Sequence, residues 1–180
     1  MIDARRLPTT RWHLRNENDE VQRLLVRELG LSPLISRILE NRDICDPDTA
    51  RRYLSPSLKD LHNPFLMQDM SKAVDRLIRS IYHKEKMVVY GDYDADGITA
   101  VVILLQFLRK IHPDVSYHIP DRLTEGYGLN REAVKRFHAE GVSLIVTVDC
   151  GISDHEAVAY ARQKGIDTII LDHHEIPGFL

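Results

Sequence analysis

Hydrophobic positions change their rhythm near residue 86. Before it they recur at helical spacing. Val21, Leu24, Leu25 and Leu29 share one face, with Gly30 placed as a C-terminal cap. Ser32-Pro33 and Asp46-Pro47 each read as an N-cap followed by proline at the first helical position, and Leu34, Ile35, Ile38 and Leu39 line the second helix. Beyond Leu61-His62-Asn63-Pro64-Phe65, the residues Met70, Ala73, Val74, Leu77, Ile78 and Ile81 predict the buried face of a longer amphipathic helix. From 86 onward, short runs rich in β-branched residues alternate with helical segments. Strands are expected over 87–90, 115–119, 144–148 and 168–171, and helices over 98–111, 131–139 and 154–163. Near-continuous apolar strands separated by helices indicate an α/β fold, a Rossmann-like parallel sheet with helices on both faces. Residues 1–84 are expected as a helical N-terminal layer packing on that sheet, and 85–180 as the α/β part.

Composition narrows the class without naming a function. At 180 residues and 43% hydrophobic content, the chain suffices for one substantial core. A net charge of −3 is not the footprint of a wide basic nucleic-acid face, and it excludes no phosphate-bearing substrate. Cys45 and Cys150 lie far apart without metal-ligand spacing, so neither a disulfide framework nor a structural zinc site is expected, and Cys150 reads as a buried filler. The first residues lack an apolar signal core, and no stretch approaches the roughly 18 apolar residues of a membrane span, so a cytoplasmic protein with no membrane partner is expected. Trp12 is expected to anchor the helical layer.

The chemistry lies where the predicted strands end. Gly91-Asp92-Tyr93-Asp94-Ala95-Asp96-Gly97, Val148-Asp149-Cys150-Gly151 and Leu171-Asp172-His173-His174 each follow an apolar run, so their acids and imidazoles are expected at one rim of the sheet, where open α/β sheets place their sites. In an extended stretch the alternate aspartates 92, 94 and 96 share one side. Carboxylates so crowded repel unless a cation intervenes, and no Lys or Arg occurs within the three motifs. Mixed Asp and His ligation suits manganese, iron or zinc better than calcium. Taken singly, Asp149 reads as a loop residue or helix cap; Asp94, Asp96, Asp149 and His173 together read as a metal site. Hydrolysis at phosphorus fits such a site best. No serine or cysteine elbow, GxGxxG fingerprint or Walker lysine offers another route.

In spacing and order these three motifs resemble the first three motifs of the DHH phosphoesterase superfamily. Within it, the first motif, Arg122-Leu123-Thr124-Glu125-Gly126-Tyr127-Gly128-Leu129 and the upstream Leu61 to Phe65 are similar to the exonucleases specific for single-stranded DNA. The resemblance implies a Mn2+- or Mg2+-dependent enzyme, with one or two ions, that removes nucleotides from the 5′ end of single-stranded DNA in repair and recombination. It further implies a single-strand-binding protein or helicase as partner. By the same resemblance Asp94, Asp96, Asp149 and His173 are the metal ligands, with Asp149 bridging two ions. His174 faces the scissile phosphate, and Asp92 and Asp172 support the ligands. Arg122, Tyr127 and Gly128 belong to a loop touching the DNA; from the residues alone that loop reads equally well as a glycine-rich surface turn.

Two departures from the family pattern stand out. In sister pyrophosphatases a histidine stands four residues before the first ligand aspartate, where this chain has Tyr90, so one metal is expected to be held more weakly. The chain stops at Leu180, before the family's fourth acidic motif, so a fragment with slight or no activity of its own is expected. The rivals are DHH enzymes acting on short oligonucleotides, cyclic dinucleotides or polyphosphate, and a catalytically silent DHH scaffold. A haloacid-dehalogenase-type phosphatase, suggested by Asp94-Ala95-Asp96-Gly97-Ile98-Thr99, leaves the paired histidines unexplained.

Overall fold

The computed structural model describes residues 18–176 and 178; Trp12 lies outside the described residues. The chain divides into two compact units, Met1–Asn63 and Pro64–Leu180.

In the first unit, helices α1 (Asp19–Leu29), α2 (Pro33–Glu40) and α3 (Pro47–Leu54) gather around Leu25, Leu39, Ile44 and Ala50. Their ends follow local capping chemistry. Asn18, Ser32 and Asp46 each accept a backbone N–H of the first turn, and Gly30 closes α1 in the left-handed conformation.

The second unit contains α4 (Met70–His83), β1 (Lys86–Gly91), α5 (Ala95–Ile111), β2 (Val115–His118), α6 (Arg131–Ala139), β3 (Val142–Val148), α7 (His155–Gln163) and β4 (Asp167–Leu171). The strands form one parallel sheet in the order β2-β1-β3-β4. The pleat divides the strand side chains between two cores. Val88, Tyr90 and Ile145 pack with Val134 and Phe137 of α6 and Ala157 and Ala161 of α7. Met87, Val89, Leu144 and Val146 pack on the opposite face with Val101, Leu105 and Leu108 of α5, and with Ala73, Leu77 and Ile81 of α4. The chain is thus α/β with helices on both faces. Among the described residues no helix is long and apolar enough to cross a membrane.

Helix α4 falls in the same compact unit as the sheet, although its sequence lies within the segment read as the N-terminal layer. Its buried face is narrower than its periodicity predicts, since Ile78 is 58% exposed. Beside the apolar stripe, Arg76 bonds to Glu85, Asp167, Ser80 and the Ser143 carbonyl. Burial alone would raise the Glu85 carboxyl, but hydrogen bonds from Ser80 and Arg76 outweigh it and hold it below its ordinary value of 4.5. A carboxyl lowered on folding contributes stability above its unfolded value and loses it as pH falls through the folded one. Arg76→Ala is therefore expected to cost about 1–3 kcal/mol, since it leaves partly buried acceptors unpaired, and to flatten the acid limb of stability against pH. Chemical denaturation between pH 3 and 7 measures both.

Candidate metal centre

The strand order sets the site. From β1 the chain crosses to β2 on one side, then returns past β1 to β3 and β4 on the other, so the crevice between β1 and β3 is a topological switch point at the carboxyl ends of the strands. The register levels the rim. Gly91 pairs with Val148 and Val148 with Leu171, so the next residue on each strand is an aspartate: Asp92, Asp149 and Asp172 stand in one row.

The first motif is not extended throughout. Strand β1 ends at Gly91 and α5 begins at Ala95, three residues before the predicted start. Asp94 is the N-cap, its Oδ1 accepting the Gly97 N–H at 3.0 Å, and Asp96 sits in the first helical turn. The alternating aspartates therefore do not converge by strand geometry; a cap and a helical turn direct two of them. The Gly97 N–H is the main influence holding the Asp94 carboxyl below the usual range. Asp92 is buried, and its Oδ1 accepts the Tyr93 N–H at 2.7 Å. A Cβ at Gly97 would lie 2.7 Å from the Asp92 carbonyl oxygen, so only glycine lets the helix start this close to the strand end. Gly97→Ala is expected to displace Asp92 and Asp94 together, with a stability loss of about 1–3 kcal/mol and weaker Mn2+ binding, measured by thermal melts and by calorimetric titration.

Asp149 occupies the centre. Its backbone is left-handed, φ 61°, and its N–H donates to the Leu171 carbonyl at 2.8 Å. Its Oδ1 lies 2.9 Å from His173 Nε2, whereas Oδ2 is buried and, among the described residues, has no hydrogen-bond partner. Burial, reinforced by the negative charges of Asp96 and Asp94, pushes the Asp149 carboxyl up despite His173 beside it. A desolvated carboxylate among other carboxylates, with one oxygen orphaned, fits a cation. Ligand atoms of Asp92, Asp94 and Asp149 lie within 4.8 Å of one another, as do those of Asp149, His173 and His174, so Asp149 belongs to both groups. Asp96 is outside both, with Oδ2 3.8 Å from His173 Nε2.

Asp172 orients the paired histidines. Its Oδ1 accepts from the His173 and His174 backbone N–H groups and lies 2.7 Å from His174 Nδ1, while Oδ2 accepts the Ile152 N–H at 3.0 Å. Burial alone would raise this carboxyl, but these bonds lower it on balance, and the Asp172 bond in turn raises His174. Nδ1 of His174 is thereby engaged by Asp172.

The loop after β2 closes one side. Tyr127 Oη lies 3.5 Å from the Asp149 carbonyl and 3.4 Å from His174 Nδ1. The Arg122 guanidinium stands over the Tyr93 ring at 5.3 Å, and Gly128 adopts φ 80°. The cleft, about 620 Å³, is lined by Asp96, Asp149 and His173 together with the apolar Met67, Ile103 and Phe107. That apolar lining and the Tyr93 contact escape a reading of the sequence, because Ile103 and Phe107 lie on the exposed face of α5, Met67 lies just before α4, and Tyr93 is a turn residue. Cys150 is buried among apolar neighbours, and burial pushes its thiol up, so it is no nucleophile.

Comparison with known proteins agrees with this architecture. The chain is 39% identical over 168 residues to the single-stranded-DNA-specific exonuclease RecJ of Bacillus subtilis, covering 93% of this chain and 21% of the relative. It is 36% identical over 149 residues to that of Escherichia coli, covering 82% and 25%. A crystal structure of exonuclease RecJ bound to manganese matches at 38% identity and a TM-score of 0.58, over 63% of this chain and 29% of that one. RecJ from Thermus thermophilus, in complex with Mn2+, matches at 27% identity and a TM-score of 0.68, over 91% and 22%. The chain thus spans about a fifth to a quarter of the length of these curated relatives. Residues 86–180, just over half of the chain and all of its sheet, match the family described as DHH family, N-terminal domain. The strand-end acids and paired histidines are therefore set on the framework of a known family, and the chain belongs to the DHH family.

Proposed function

We propose that the protein hydrolyses phosphodiester bonds in single-stranded DNA, releasing nucleotides from the 5′ end with Mn2+ or Mg2+ as cofactor. The observation that carries this reading is Asp149: a buried carboxylate oxygen without a hydrogen-bond partner among the described residues, ringed by acids and an imidazole, at the switch point of a sheet whose relatives are named single-stranded-DNA-specific exonucleases. Asp94, Asp96, Asp149 and His173 hold the ions. Bound there, a divalent ion acidifies water and offsets the charge of a phosphate in displacement. Asp92 supports the Asp94 turn. Asp172 fixes the His174 ring, whose Nε2 faces the scissile phosphate, and Arg122, Tyr127 and Gly128 flank the entering strand. In this reading the protein acts in the cytoplasm, in DNA repair and recombination, alongside a single-strand-binding protein or helicase.

A 5′-labelled single-stranded oligonucleotide tests the proposal. With Mn2+, a protein as long as the relatives should digest it, and residues 1–180 alone should leave no more than trace product. Preference for short oligonucleotides, cyclic dinucleotides or polyphosphate in the same panel would assign another DHH substrate class. Activity unchanged by Asp149→Ala would mean that the site is not catalytic.

A further inference from the structure

We propose that Tyr90 and Asp154 are positioning residues: together they clamp the single peptide group between Gly128 and Leu129 and so hold Tyr127 against the metal centre. This inference rests on the proposed function for its kinetic consequences.

Asp154 stands immediately before α7, where an aspartate normally caps the helix. Its side chain makes no such bond. Instead its Oδ2 accepts the N–H of Leu129, 25 residues upstream, at 2.5 Å. At the other end of the same peptide, the Gly128 carbonyl accepts the Tyr90 hydroxyl at 2.7 Å. Tyr90 is fully buried in β1, on the sheet face covered by α6 and α7. Both polar atoms of one peptide group are fixed, one by a strand and one by the residue before a helix, so the plane cannot rotate. Asp154 also presses on Gly128 so closely that a Cβ there would lie 2.5 Å from Oδ2. Upstream, Glu125 ties the loop to β2 by bonding His118 Nε2 at 2.9 Å while accepting the Asp121 N–H.

Tyr127 sits between two glycines of positive φ, Gly126 at 79° and Gly128 at 80°. Such a segment is free to swing unless something outside it fixes its ends. The clamped peptide begins one residue after Tyr127, whose hydroxyl lies beside the Asp149 carbonyl and His174. Orientation of Tyr127 is therefore imposed by a strand residue and the residue before α7, neither of which is among the groups that could hold a metal.

Tyr90→Phe removes the donor and Asp154→Leu removes the acceptor, each at nearly the original side-chain size. In a protein as long as the relatives, assayed with Mn2+ and a single-stranded oligonucleotide, each is expected to raise KM about fivefold, the factor one net hydrogen bond is worth, with kcat and Mn2+ affinity little changed. In a Tyr127→Ala background the further effect of either should vanish, because they act through that side chain. In residues 1–180, Asp154→Leu, which leaves the Leu129 N–H without its acceptor, should speed hydrogen exchange at the Leu129 amide. Equal KM effects with and without Tyr127 would overturn the clamp and leave a general structural role. If the unaltered protein shows no Mn2+-dependent hydrolysis, the proposed function fails and the clamp is judged on exchange alone, where an unchanged Leu129 rate overturns it.

Discussion

Asp149→Asn is expected to abolish Mn2+ binding and yet to raise the melting temperature of the metal-free chain. Without an ion, Asp149 is a desolvated carboxylate beside Asp92, Asp94 and Asp96, opposed only in part by His173, and its pKa is pushed up accordingly. A neutral amide of the same size removes that repulsion, and asparagine tolerates the left-handed backbone at φ 61° as aspartate does. The expected gain in EDTA is about 2–4 °C, the shift that roughly 1 kcal/mol produces in a chain of this size. Affinity for Mn2+ should fall by more than about 100-fold, beyond the loss caused by removing a merely supporting group. Paired melts with and without Mn2+ measure both effects. A lower melting temperature in EDTA, or binding that survives, would contradict the assignment of Asp149 as the shared ligand of two groups.

His174→Ala is expected to lower turnover roughly 100- to 10,000-fold, the range for removing a positioned proton-transfer group, while Mn2+ still binds. His174 is held on Nδ1 by Asp172, which also gathers the backbone N–H groups of His173 and His174. Asp172→Asn should therefore depress turnover too, by loosening the His174 ring. Single-turnover rates at saturating Mn2+, with affinity read separately by calorimetry, divide the two contributions. His174 also lies within reach of Asp149 and His173. Loss of Mn2+ binding in His174→Ala would make it a ligand instead.

The sheet is legible in the sequence because its strands are short, apolar and β-branched, and the acids and histidines that follow them mark its rim. Helix α6 matches its periodic pattern end to end, and the caps at Ser32 and Asp46 act as their residue types require. The levelling of Asp92, Asp149 and Asp172 depends on strand register, which one chain segment cannot reveal. The early start of α5 was hidden because Asp94, Ala95, Asp96 and Gly97 combine strand-end, cap and turn chemistry, and the close fit of Gly97 against Asp92 decided between them. Asp154 shows the opposite case. Its local signal is that of a helix cap, and a long-range partner diverted the carboxylate to Leu129. Local chemistry thus identifies the acids, and tertiary contacts determine which of them meet.

Anomalous diffraction at the manganese edge, on crystals of residues 1–180 soaked in Mn2+, tests the central claim most directly. A peak bonded to the Asp149 carboxylate through Oδ2, the oxygen without a hydrogen-bond partner among the described residues, with further bonds from Asp94 or from His173, is the predicted result. A peak elsewhere, or none at saturating Mn2+, would contradict it.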